Sequence, residues 1–243
     1  MTLRLGDCSD DSRYDAWTRV VERIYHEQVG HAWSHYLFRL LRAVFTANQR
    51  LSEEGGFLFE WMVSNYVDST LMLLRRELDR QAGTENLRNL LFDMIEHPTI
   101  VTRERYLLKW GDGSVDRWVA NRVFDQFVGS PEADHLGPEV IRADLERVNT
   151  GAEHLREYAE RTRAHRSPER RVDTAGMTFE ALHEAIADVR EVISKYYALL
   201  TQRSIAQWEP VPQYDTLGAF LGPWIVDRAA VERVIADDGP TRT

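Results

Sequence analysis

The chain has 243 residues, 43% of them apolar and 28% charged, enough to bury a core in one large domain or two small ones. Its 39 acidic against 30 basic side chains give a net charge of −9, which argues against a protein that coats nucleic acid over its whole surface and leaves room for a local basic site. One cysteine, Cys8, excludes an internal disulfide framework and a multi-cysteine zinc centre.

Hydrophobic periodicity predicts helices from one end of the chain to the other. Ser12 is read as a cap for a helix over 13–51, with Trp17, Val20, Val21, Ile24 and Tyr25 and then Trp33, Leu37, Leu40, Leu41 and Val44 facing inward. Gly30 is read as a bend within it. Gly55-Gly56 breaks the chain. A third long helix is expected from Phe57 to Arg80, its inner side carrying Phe59, Met62, Val63, Tyr66, Thr70, Leu73, Leu74 and Leu78. Gly83 ends it, and Thr84 is read as the cap of a helix that reaches Ile95 before His97-Pro98. Short helices are expected at 100–109 and 115–128, split by Gly111-Asp112-Gly113, with Gly129-Ser130-Pro131 as a loop.

Residues 138–165 repeat Ile141, Leu145, Val148, Ala152, Leu155, Ala159 and Thr162, and Pro138 suits a first helical turn. Thr178 is read as the N-cap of a long helix whose stripe is Phe179, Leu182, Ile186, Val189, Ile193, Tyr196 and Leu200. Beyond Gln207, Pro210, Pro212, Gly218, Gly222 and Pro223 predict an irregular tail across the bundle, then a short helix near 228–236. No segment reads as a strand, so the fold class is all-α. No apolar run approaches the length of about 20 residues that spans a bilayer, and the N-terminal residues lack a basic head and apolar core. A cytoplasmic protein without membrane contact is the expectation.

Phosphate loops, GxSxG, HExxH and CxxC are all missing. His31 and His35 stand one helical turn apart, and Glu180 with His183 forms one ExxH. A di-iron bundle needs two ExxH motifs and two further glutamates, so no metal and no cofactor are expected, and these histidines read as surface or rim groups. Trp17, Trp33, Trp61 and Tyr66 read as core, with a small-molecule pocket as a lesser reading. Arg75, Arg76 and Asp79 read as ion pairs at a helix end.

The segment 161–171 holds five arginines, Arg161, Arg163, Arg166, Arg170 and Arg171, around His165. Arginine forks hold phosphate oxygens, and a histidine among them exchanges a proton near neutral pH. On a helix Arg161 and His165 share a face. The bland reading is a solvated helix end, where cations favour the negative pole of the dipole.

The string Tyr158-Ala159-Glu160-Arg161-Thr162-Arg163-Ala164-His165-Arg166 resembles the motif of HEPN-type domains, an arginine followed by an Ala-His-Arg-like stretch. Met177–Leu182, Lys195–Leu200, Phe57-Leu58-Phe59 and Leu73–Arg80 fit the same pattern, and together they look most like the AbiU-type branch of bacterial abortive-infection proteins. The family's arginine stands four to six residues clear of the histidine, whereas three separate Arg161 from His165. The resemblance implies a HEPN-like up-and-down bundle over 1–205 and a C-terminal extension, 206–243, packing on or near it. It also implies a homodimer acting in phage defence or as a toxin, with an antitoxin or other defence protein as partner. The activity it implies is a metal-independent endoribonuclease with His165 and Arg161 as catalytic groups at the dimer interface. Arg163, Arg166, Arg170 and Arg171 would then bind RNA phosphates. The alternative is a non-catalytic interaction or sensing module of the same fold.

Overall fold

The computed structural model describes residues 3, 5–108, 110, 114–158, 178–220 and 229. Among them the chain forms eight α-helices: α1 (Asp10–Ala47), α2 (Gln49–Glu54), α3 (Gly56–Glu77), α4 (Leu87–Glu96), α5 (Arg103–Leu108), α6 (Ser114–Val128), α7 (Pro138–Tyr158) and α8 (Phe179–Thr201). Short 3-10 turns occupy Pro98–Ile100 and Leu217–Phe220. The described residues contain no strand, only an isolated bridge between Thr102 and His135. The fold is all-α.

Capping residues set several helix ends one turn away from where the sequence placed them. The side chain of Ser9, not Ser12, accepts the Ser12 N–H and starts α1 at Asp10. Asn48 leaves helical geometry, takes the Leu51 N–H on its side chain and so divides 13–51 into α1 and α2. At α4 the cap is Asn86, whose carbonyl accepts the Asn89 N–H; Thr84 supports it by accepting from the Asn86 amide. Thr178 caps α8 as expected, accepting from the Ala181 N–H. Gly30 does not divide the helix into two pieces: α1 runs through it from Asp10 to Ala47.

α1 is the axis of the bundle, with α3, α4 and α8 packed around it, and α7 covers α8 and α4. Contacts run in opposite chain directions between α1 and α3 (His31 with Thr70, Phe45 with Phe59) and between α1 and α8 (Gln28 with Arg190, Tyr14 with Leu200), so both pairs are antiparallel. The α7–α8 pair is antiparallel too. Arg147 there bridges Asp188 and Glu191, while Asp144 accepts from Lys195 and Tyr196 at 2.7 and 2.9 Å. Trp17, Leu74, Leu90, Leu155, Ile193 and Tyr196 bring five helices into one core. Burying each large apolar side chain contributes about 1.5–3 kcal/mol. No helix among the described residues is long and apolar enough to cross a membrane.

The second half of α1 departs from its expected inner stripe. Trp33 and Leu37 are 40% and 41% exposed, while Gln28, His31, Ala32, Phe38 and Phe45 are buried. The inward line therefore runs 24, 28, 31, 35, 38 and 45, at helical spacing but with polar residues at three positions. Those three positions, Gln28, His31 and His35, lead into the candidate site.

Candidate acid–base pocket

α1, α3 and α8 each deliver polar side chains to one point. α1 supplies Gln28, His31 and His35, α3 supplies Tyr66 and Thr70, and α8 supplies His183 and Arg190. Beside them is a cavity of about 410 Å³ lined by His35, Tyr66, His183, Arg190 and, from the segment after α8, Gln207 and Trp208. The Trp208 indole N–H donates to Ser194 Oγ at 3.2 Å, its ring packs on Tyr25, and the Arg190 guanidinium lies 5.4 Å from its centre. Phe38 and Phe179 stack against the Tyr66 ring.

The hydrogen bonds fix the protons. Arg190 Nη2 donates to His31 Nδ1 at 3.1 Å, so that nitrogen is the acceptor. The His31 proton then sits on Nε2 and is donated to Thr70 Oγ1 at 2.8 Å, and the Thr70 hydroxyl donates onward to the Tyr66 carbonyl at 2.8 Å. Tyr66 Oη is 2.6 Å from His35 Nδ1 and 3.0 Å from His183 Nε2. With one hydroxyl proton to give, it donates to one imidazole and accepts from the other. The two rings, 4.6 Å apart and perpendicular, are thus joined by a proton-bearing bridge.

Burial, the Arg190 charge and the neighbouring imidazoles push His31 down to about 4. Burial, His183 and Arg190 push His35 down to about 4. His183 is lowered by burial and then by Arg39, Arg42 and Arg190. All three rings are neutral at pH 7. Burial raises the Tyr66 phenol, which stays protonated. Arg190 is the cation at the centre. Its hydrogen-bond partners among the described residues are neutral: Gln28 Oε1 and the Gln28 carbonyl at 3.4 Å each, and His31. Gln28 Nε2 is buried and finds no acceptor among the described residues. A half-buried guanidinium whose hydrogen-bond partners are neutral, at the edge of a cavity, can take an anion there. Two neutral imidazoles and a phenol beside it can take and return a proton.

Glu180 and His183 part company: His183 enters the pocket while Glu180 is exposed. Of the histidines read as surface or rim groups, His31 is buried, while His35 and His183 are partly buried and line the cavity; Tyr66 is in the core as read and bridges the two lining rings. Arg190 was not singled out by the sequence; its signal is a lone cation inside the apolar α8 stripe. His165, Arg161, Arg163, Arg166, Arg170 and Arg171 lie outside the described residues. Elsewhere, Asp93, Glu96 and His97 bring ligand atoms within 4.8 Å of one another, but both Asp93 oxygens are taken by Arg13 and one also by Trp17. Compared with known proteins, the chain matches no family model, no curated protein and no solved structure.

Proposed function

We propose that this chain is a metal-independent endoribonuclease and that the His35–Tyr66–His183–Arg190 pocket holds the phosphodiester. The observation that carries the reading is Arg190, a partly buried cation bonded only to neutral described groups and placed beside two neutral imidazoles. The AbiU-type, HEPN-like resemblance supplies the substrate class, the role in phage defence or as a toxin, and the homodimer with its defence-system partner.

In this reading Arg190 balances charge that grows on the non-bridging phosphate oxygens. The free nitrogen of one imidazole accepts the ribose 2′-hydroxyl proton as that oxygen attacks phosphorus. The leaving 5′ oxygen takes a proton from the other imidazole. Tyr66 Oη, between the rings, returns the proton from the first to the second. The products are a 2′,3′-cyclic phosphate and a 5′-hydroxyl, and no proton is left over. Acid–base groups in such positions contribute about 10²–10⁴-fold each. His165 and Arg161, with Arg163, Arg166, Arg170 and Arg171, are the second candidate constellation for the same reaction.

The test is RNA cleavage by purified protein in excess EDTA, with wild type beside His183→Ala, Arg190→Lys, His165→Ala and Arg161→Ala. Cyclic-phosphate ends that disappear in His183→Ala and Arg190→Lys are the expected result. Cutting lost only in His165→Ala and Arg161→Ala moves the chemistry to that motif. Cutting retained in every variant, or seen in none of the proteins, overturns the ribonuclease reading, and the second outcome favours the interaction module.

A further inference from the structure

His31 and His35 are followed on α1 by Arg39 and Arg42, so one ridge of the helix runs from inside the pocket to the surface. The rise from His35 is about 6 Å to Arg39 and about 10 Å to Arg42. Both arginines act electrostatically on His183, so the ridge and the pocket share one field. Arg42 lies 6.0 Å from the centre of the Phe179 ring, at the first turn of α8. A shallow cavity of about 370 Å³ is lined by Arg39, Arg42, Ala43, Thr46 and Ala47, with no acidic side chain in its wall.

The chain itself places an anion on this ridge. After Trp208 locks against Ser194 and Tyr25, the next residue, Glu209, reaches Arg39 and forms an ion pair at 2.6 Å. Both partners are mostly exposed, at 60% and 69%. Exposed ion pairs of this kind contribute little, so a doubly or multiply charged ligand displaces the carboxylate readily.

We propose that Arg39 and Arg42 form a second phosphate subsite continuous with the Arg190 pocket, and that the ligand is a nucleic-acid strand presenting successive phosphates, with Glu209 occupying the ridge until the strand arrives. The proposal rests on the phosphodiester reading of the pocket. A single phosphate group satisfies Arg190 alone; only a strand engages Arg190 and the ridge together.

The test compares two probes on the full chain. One is a fluorescent 2′-O-methyl oligoribonucleotide, which cannot be cut by 2′-hydroxyl attack; the other is a fluorescent 2′-O-methyl dinucleoside monophosphate, with one phosphodiester, titrated separately. Wild type, Arg39→Gln/Arg42→Gln and Glu209→Gln are titrated across salt. The double variant is expected to bind the oligonucleotide about tenfold more weakly and to lower the salt slope by about 1.4, the value for two single-strand phosphate contacts. Its affinity for the one-phosphate probe should fall far less than its affinity for the oligonucleotide. Glu209→Gln should tighten oligonucleotide binding by up to about fivefold at low salt. Unchanged oligonucleotide affinity in the double variant, or an equal loss for both probes, overturns the subsite. If wild type binds neither probe, the pocket reading fails and the ridge with it. Binding of the one-phosphate probe alone sinks only the ridge.

Discussion

α1 carries a buried arginine cluster near its start and feeds a second one further along, and the two are opposites. At the first, Arg13 makes two hydrogen bonds to Asp93 at 3.0 and 2.9 Å and a third to the Gly6 carbonyl, and Trp17 donates to the same Asp93 carboxylate at 2.7 Å. Charge cancels charge, every carboxylate oxygen is used, and Asp93 is 1% exposed. At the second, Arg190 is held by an amide, a carbonyl and an imidazole, and it faces a cavity. The first arrangement ties α1 to α4 and has no capacity left. The second has no carboxylate among its hydrogen-bond partners, and the acidic group that acts on it, Glu209, does so from a distance. A cation bonded directly to a carboxylate of its own chain is a structural tie; one bonded to neutral groups beside a cavity keeps capacity for a ligand.

The sharpest way to break that contrast is Asp93→Ala. Arg13 would stay buried without its counter-charge and Trp17 without its acceptor, which costs about 3–5 kcal/mol. The urea midpoint should fall accordingly, while the folded fraction keeps its RNA affinity. An Asp93→Ala protein of unchanged stability, or one that is stable and no longer binds RNA, would erase the distinction.

The second cluster should instead declare itself through pH. His31 accepts from Arg190, so a proton on Nδ1 is opposed in the folded state but not in the unfolded chain. The folded value near 4 lies below the unfolded value of 6.5. The unfolded chain therefore gains the proton first, and folding stability falls as pH drops from 6.5 to 4. Below that window both states are protonated and the loss is complete, on the order of 3 kcal/mol. His31→Gln can still accept from Arg190 and donate to Thr70, yet does not titrate. Urea midpoints at pH 7.5, 5.5 and 4.5 should diverge between wild type and His31→Gln; parallel profiles would show that His31 is not held neutral by this geometry.

His183→Ala tests the same cluster through function. The ring is half-buried and bonded to one hydroxyl, so its removal should cost little stability. RNA cleavage should fall about 100-fold, the lower end for a lost acid–base group. Equal losses of activity and stability would make His183 a packing residue.

The sequence was most legible where its local rules agreed. Around α8, a 3.6-residue stripe and a Thr178 cap agree, and the helix lies where both put it. Along α1 two rules compete. Apolar residues at 33, 37, 40 and 44 suggest one inner face, but the helix turns Gln28, His31 and His35 inward instead, where Arg190, Thr70 and Tyr66 give each of them a hydrogen bond. Those partners come from positions 31 to 162 residues away, so no local pattern announces them. The interruption of the apolar stripe is the trace the site leaves in the sequence. Ser12 and Thr84 were misread for a smaller reason: each has a stronger cap, Ser9 or Asn86, within three residues.

The finest comparison uses the two helix caps that flank the clusters. Ser9 opens α1 four residues before Arg13, and Thr178 opens α8 one residue before Phe179 and five before His183. Replacing either with Ala leaves a first-turn N–H unpaired and costs about 1 kcal/mol. The two losses should look alike by urea denaturation and different by function. In Ser9→Ala the frayed turn leads only to the Arg13–Asp93 tie, whose bonds are saturated and do not touch the cavity. In Thr178→Ala the frayed turn carries Phe179, which packs on Tyr66 and Phe38, so the packing that holds Tyr66 loosens and His183 loses its fixed distance to Tyr66 Oη. RNA cleavage should therefore drop several-fold in Thr178→Ala and stay near wild type in Ser9→Ala. Equal activity in the two proteins would mean that the first turn of α8 does not hold the acid–base pair in place.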